Sequence, residues 1–181
     1  MNTLPFTLLL FLTAGLCACT ISLPLNYAPS NLTRGSGGLQ VQRFAYPPAE
    51  KGEVAPNEMQ KKHPSIGTRL LQRDVGDFVA DALRKELSLS GYTLSSDSSR
   101  VVSGSVDRFY IDWVGFSTID VEVALTFSVH SGSSSLFTAT YKSHQQAPKS
   151  DLGITAETIK LALAECFHQF IREAHARGAF Q

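Results

Sequence analysis

The chain has 181 residues, enough for one domain with a real core and too few for two once a leader is removed. Its 16 Lys and Arg balance 16 Asp and Glu, so the formal net charge is zero. Neutrality argues against nucleic acid as a partner, which needs a surplus of phosphate-neutralising cations, and against a polybasic membrane patch.

The first element is the apolar run Leu4-Pro5-Phe6-Thr7-Leu8-Leu9-Leu10-Phe11-Leu12-Thr13-Ala14-Gly15, followed by Leu16-Cys17-Ala18-Cys19. A membrane-spanning helix needs about 20 consecutive apolar residues, and this run is broken by Pro5 and stops near Ala18. The apolar core of a secretory signal, roughly 7–15 residues, fits it. A Leu three positions before a Cys, with a small residue directly before that Cys, resembles the lipobox of bacterial lipoprotein signals. That resemblance implies cleavage between Ala18 and Cys19 and lipid attachment at Cys19, with residues 1–18 removed. Ordinary signal-peptidase cleavage is the alternative, because Ala14, Gly15 and Ala18 are also small. Met1-Asn2-Thr3 carries only the α-amine where such signals carry Lys or Arg. Of the three cysteines, Cys17 is then lost and Cys19 acylated. Cys166 stands alone, so no intramolecular disulfide is expected; a Cys19–Cys166 bridge would count against lipidation.

Residues 19–38 are rich in Pro, Asn, Ser and Gly and read as the lipidated N-terminus and a flexible tether. Ile21, Leu23, Leu25 and Tyr27 alternate, which allows part of the segment to pair at a sheet edge. A single domain is expected over 39–181. Residues 39–46 form a strand candidate ended by Pro47-Pro48. Residues 47–66 are expected to be a long, charged loop with a basic spot at Lys61-Lys62-His63, mobile and solvated or else a binding loop, the mobile reading being preferred. Helical spacing of Phe78, Val79, Ala82, Leu83 and Leu87 predicts a helix over 74–90, with Asp74 as its cap and Gly91 just past its end. Tyr92-Thr93-Leu94 begins a short strand.

From 101 to 144 the alternation predicts a three-stranded meander. Ile119, Val121, Val123, Leu125, Phe127 and Val129 share one face of its middle strand. Asp120, Glu122, Thr126, Ser128 and His130 share the other, the pattern of a sheet with one wet face. Turns at 114–118 and 131–135 set Trp113, Ile111 and Phe109 opposite Ile119, Val121 and Val123, and Phe137, Ala139 and Tyr141 opposite Val129, Phe127 and Leu125. The parity of Val102, Gly104 and Val106 is opposite to that of Phe109 and Ile111, which requires a bulge near Asp107-Arg108. Residues 155–177 form a second amphipathic helix, capped by Thr155 and ended by Gly178. The expected fold is α+β, an antiparallel meander with two amphipathic helices packed on one face.

Chemistry-bearing motifs are sparse. Gly35-Ser36-Gly37-Gly38 opens no helix and lacks the setting of a phosphate loop. There is no His-Glu-x-x-His and no paired Cys spacing, so no metal or other cofactor is expected. Cys166 falls in the apolar stripe of the last helix and reads as core. His168 and His175 are two turns apart, too far to share a metal as neighbours. Asp120 and Glu122 share the wet face, with Asp112 and Tyr110 opposite them. The expectation is a hairpin end where Asp112 and Asp120 both see water.

Residues 39–44, Ile66-Gly67, Leu83-Arg84-Lys85-Glu86-Leu87 through Gly91-Tyr92, Val102-Ser103-Gly104-Ser105-Val106 and 155–177 together resemble the YajG-like family of small bacterial envelope lipoproteins. Auxiliary lipoproteins of ABC-type lipid transporters are similar over the same stretch. The resemblance implies an address and a fold and no activity. Three functions compete. The first is a non-enzymatic lipoprotein, anchored in the membrane by its lipid and binding an envelope protein partner in the periplasm. Thr20 stands where inner-membrane retention signals commonly have Asp, which implies the outer membrane. The second is an auxiliary subunit of a lipid or lipopolysaccharide transport system. The third is an enzyme, which would have to gather Asp120, Glu122 and His144 in one concave site.

Overall fold

In a computed structural model, residues 20–63, 66–115, 117–149 and 152–181 are described. Seven strands and three helices follow one another along them: β1 (Thr20–Leu23), β2 (Gly38–Val41), α1 (Pro47–Glu50), β3 (Thr68–Leu71), α2 (Val75–Leu89), β4 (Thr93–Leu94), β5 (Arg100–Val114), β6 (Thr118–Ser131), β7 (Ser134–Pro148) and α3 (Leu152–Ala176). Ala18 and Cys19 lie outside the described residues.

The meander forms as its alternation predicts. Trp113 pairs with Ile119, Ile111 with Val121 and Phe109 with Val123; Phe137 pairs with Val129 and Tyr141 with Leu125. The register of β5 slips between Val106 and Arg108, so Asp107 is the extra residue that restores the phase. The sheet is nevertheless mixed rather than purely antiparallel. Its order is β4-β2-β5-β6-β7, and β2 pairs in parallel with both β4 and β5. Parallel neighbours need a crossover, and α2 supplies it between β2 and β4. Strands of four and two residues carry too little alternation to announce this pairing.

Two segments expected to be loose are built into the domain. Residues 20–38 do not form a tether. β1 pairs in parallel with β3, Leu23 is fully buried, and the Tyr27 hydroxyl donates to Glu86 of α2 at 2.5 Å. The backbone N–H of Asn31 donates to the same carboxylate at 2.9 Å, and that of Ser30 at 3.1 Å. Glu86 is itself completely buried, a carboxylate surrounded by donors, which is why a polar-looking segment adheres.

The described part of the 47–66 stretch is likewise built into the domain rather than left as a free loop. It opens with α1, the Tyr46 hydroxyl donates to the Glu58 carbonyl at 2.8 Å, and Met59 is fully buried. Gln60 then pairs with the edge of β5: its N–H donates to Phe109 O at 2.8 Å and its carbonyl accepts from Ile111 N at 2.9 Å. Met59 N–H donates to Arg69 O at 3.0 Å on the other side, so this segment links β3 to β5 and covers an edge left open beyond β2. Lys61 donates to Glu58 and Thr68, and His63 reaches Asp112, so two of the three basic residues are turned to internal partners while Lys62 stays exposed.

The core lies between sheet and helices. α3 packs on β6 and β7, and α2 on β2, β4 and β5. Phe170 stacks on Phe127 with ring centroids 4.2 Å apart, and Phe44 and Phe167 meet Phe127 edge-on. Gly76 lets the first turn of α2 sit against Phe44, whose carbonyl oxygen would be 2.1 Å from an added Cβ. Asp74 occupies the N-cap of α2 without a side-chain capping bond; its carboxylate instead accepts from Arg43 at 2.8 Å. Gly91 has φ +97°, the left-handed residue expected past α2. α3 begins three residues before the predicted cap, which places Thr155 inside the helix and buried.

Candidate functional site

The face of the meander opposite Phe127 carries the titratable residues. Strand register sets Asp112, Asp120 and Gln146 in one row and Tyr110, Glu122 and His144 in the next. The row beyond holds Arg108, Ala124 and Lys142. Asp112 and Asp120 face each other directly, as the alternation predicts. They do not see water as expected: Asp112 is 4% and Asp120 8% exposed.

Each carboxylate is held by its own histidine, Asp112 by His63 from the segment paired with β5 and Asp120 by His144 from β7. Asp112 accepts from the Tyr110 hydroxyl at 2.6 Å, the Trp113 N–H at 2.8 Å and His63 Nδ1 at 2.8 Å. Asp120 accepts from His144 Nε2 at 2.5 Å and Gln146 Nε2 at 2.9 Å. Burial pushes the Asp112 carboxyl up, but the Tyr110 hydroxyl, the Trp113 N–H and His63 together outweigh it and hold the group below the usual carboxylate range. Tyr110 moves the other way, up to about 12, through burial and the neighbouring Asp112 carboxylate, so it remains a donor. Beside this pair Glu122 forms an ion pair with Arg108, whose guanidinium lies 4.1 Å from the centre of the Tyr110 ring.

Asp120, Glu122 and His144 are therefore brought together, each offering one ligand atom within 4.8 Å of the others. Of these, Glu122 and His144 border an open hollow of about 530 Å³ with Asp107, Arg108 and Lys142. Asp120, Glu122 and His144 could hold a divalent ion only by giving up existing bonds, because His144 Nε2 already faces Asp120 and Glu122 already faces Arg108. The arrangement suits the burial of two opposed carboxylates.

The remaining candidates do not join this site. Cys166 is a buried free thiol, its pKa pushed to about 12 by burial, which makes it unreactive. His168 Nε2 lies 3.4 Å from Ser30 Oγ, whereas His175 Nδ1 lies 2.9 Å from the Tyr92 hydroxyl, so the two histidines serve different contacts. Nothing in the sequence ties His63, read as part of a basic spot, or Arg108, read at a bulge, to this site. His63 lies in an aperiodic stretch, and only the pairing of Gln60 with β5 carries it to Asp112.

A second concavity lies at the end of the sheet where β1 starts. Ile21, Ile66, Ile111, Trp113, Ile119 and Leu152 enclose about 350 Å³ together with Arg69, Lys149 and Thr155. Lys149 Nζ sits 3.4 Å from the centre of the Trp113 ring. Among the described residues no helix is long and apolar enough to cross a membrane.

No family model matches the chain, and no curated protein matches it by sequence. Solved structures share the fold. Protein XCC0632 of Xanthomonas campestris, from the family DUF330, is similar with a TM-score of 0.66 at 13% identity, over 88% of this chain and 96% of that one. A hypothetical protein of Chlamydia trachomatis has a TM-score of 0.54 at 9% identity, over 81% and 98%. A minor lipoprotein of Acinetobacter baumannii has a TM-score of 0.50 at 11% identity, over 78% and 94%.

Proposed function

We propose that this chain is a lipid-anchored envelope lipoprotein, acylated at Cys19, whose domain faces the periplasm and binds another envelope protein without catalysing a reaction. The observation that carries it is Leu16-Cys17-Ala18-Cys19 directly before Thr20, the first residue of β1. A solved neighbour in fold that is itself a lipoprotein agrees with it. The non-enzymatic part is supported by the polar face, where the buried carboxylates already have partners, and by an unreactive cysteine. Thr20 in place of Asp favours the outer membrane.

The test is labelling with a palmitate analogue in wild type and in Cys19→Ser. Label should enter the wild type and be lost in the variant; equal labelling of both overturns the anchor. A second reading, an auxiliary subunit of a lipid or lipopolysaccharide transport system, draws on the apolar hollow between the start of α3 and the sheet. Crosslinked pull-down from membranes separates the two by the partner recovered.

A further inference from the structure

The apolar hollow stands where the anchor would leave the domain. Ile21 lines it and is only two residues beyond Cys19, so the two Cα atoms are at most about 8 Å apart. With residues 20–31 bound to β3 and Glu86, no slack separates a lipid at Cys19 from this end of the fold.

The side chains there suit a bilayer boundary. Leu152, which lines the hollow, is 43% exposed, and Ile154, directly before the lining Thr155, is 38% exposed. Trp113 stands near the end of β5, and Leu152 and Ile154 lie in the first turn of α3. Trp113 with Lys149 over its ring is an apolar body with a cationic tip, the combination that settles at headgroup level.

We propose that Ile21, Trp113, Lys149, Leu152 and Ile154 form a membrane-contacting surface that rests on the headgroup–acyl boundary and fixes the orientation of the domain. This rests on acylation at Cys19. The occupant is lipid rather than a protein because the anchor brings the bilayer within two residues of the hollow, and exposed apolar groups beside a cation match that boundary.

Trp113 is the sole tryptophan of the chain, which makes it a site-specific probe. The acylated full chain is reconstituted into phosphatidylethanolamine–phosphatidylglycerol vesicles, with or without phospholipid brominated near the headgroup. Flotation with the vesicles and the acyl mass report the anchor separately. The expected result is flotation with about a twofold loss of Trp113 emission in brominated vesicles, and recovery of most of it in the acylated Leu152→Asp, Ile154→Asp double variant. Flotation with unquenched Trp113 overturns the surface and leaves the anchor standing, and quenching unchanged in the double variant also overturns the surface. A wild-type chain without the acyl mass, failing to float, overturns the anchor and the surface with it.

Discussion

Asp112 shows how a single side chain can be costly and stabilising at once. Placed opposite Asp120 it would repel, and buried it loses hydration, yet three donors compensate it. Its carboxyl titrates lower in the folded chain than in the unfolded one, where the value is near 3.9. The folded state therefore binds fewer protons, and Asp112 stabilises the fold above that value. The contribution is lost as pH falls from there through the lower folded-state value. Asp112→Asn is expected to lower Tm at about pH 7, with the gap from wild type shrinking below about pH 4. Thermal melts across that range decide it, and a gap that stays constant would show that the ionised form is not what stabilises.

Elements with many turns or many alternations were legible from the chain alone with their pairing, whereas the short strands were legible only as segments. The meander, its bulge at Asp107 and the stripe of α2 follow from periodicity because each has enough residues to average over. The pairing of β2, β4 and Gln60 depends on which edge is vacant after the meander forms, and that information is spread over the whole chain. The candidate site divides in the same way. Asp112, Asp120, Glu122 and His144 belong to long strands and could be placed, whereas His63 arrives on a segment with no period. Glu86 hid for another reason: a charged residue within an amphipathic helix reads as solvated, and only the 20–31 segment laid over it explains its burial. Glu86→Gln would aim an amide N–H₂ at donors that need an acceptor, at a cost of about 1–3 kcal/mol. Hydrogen exchange should quicken at residues 27–34 while the centre of β6 stays protected; unchanged exchange at 27–34 would mean that Glu86 is not the clasp.

At the scale of the molecule, the polar and apolar features are separated. The paired carboxylates occupy the sheet face opposite Phe127, the closed core lies between that sheet and the helices, and the apolar hollow marks the end where β1 starts. The 20–31 segment also makes the domain a mechanical device. A pull on Cys19 enters along β1, so the load falls as shear across the four paired residues of β1 and β3 and then meets the Tyr27–Glu86 bond. Single-molecule extension from residue 19 is expected to release residues 20–31 first, a step of about 40 Å, before the meander yields. One concerted rupture without that step would contradict it. Extraction of the lipid from a bilayer would thus release a short fuse and spare the sheet.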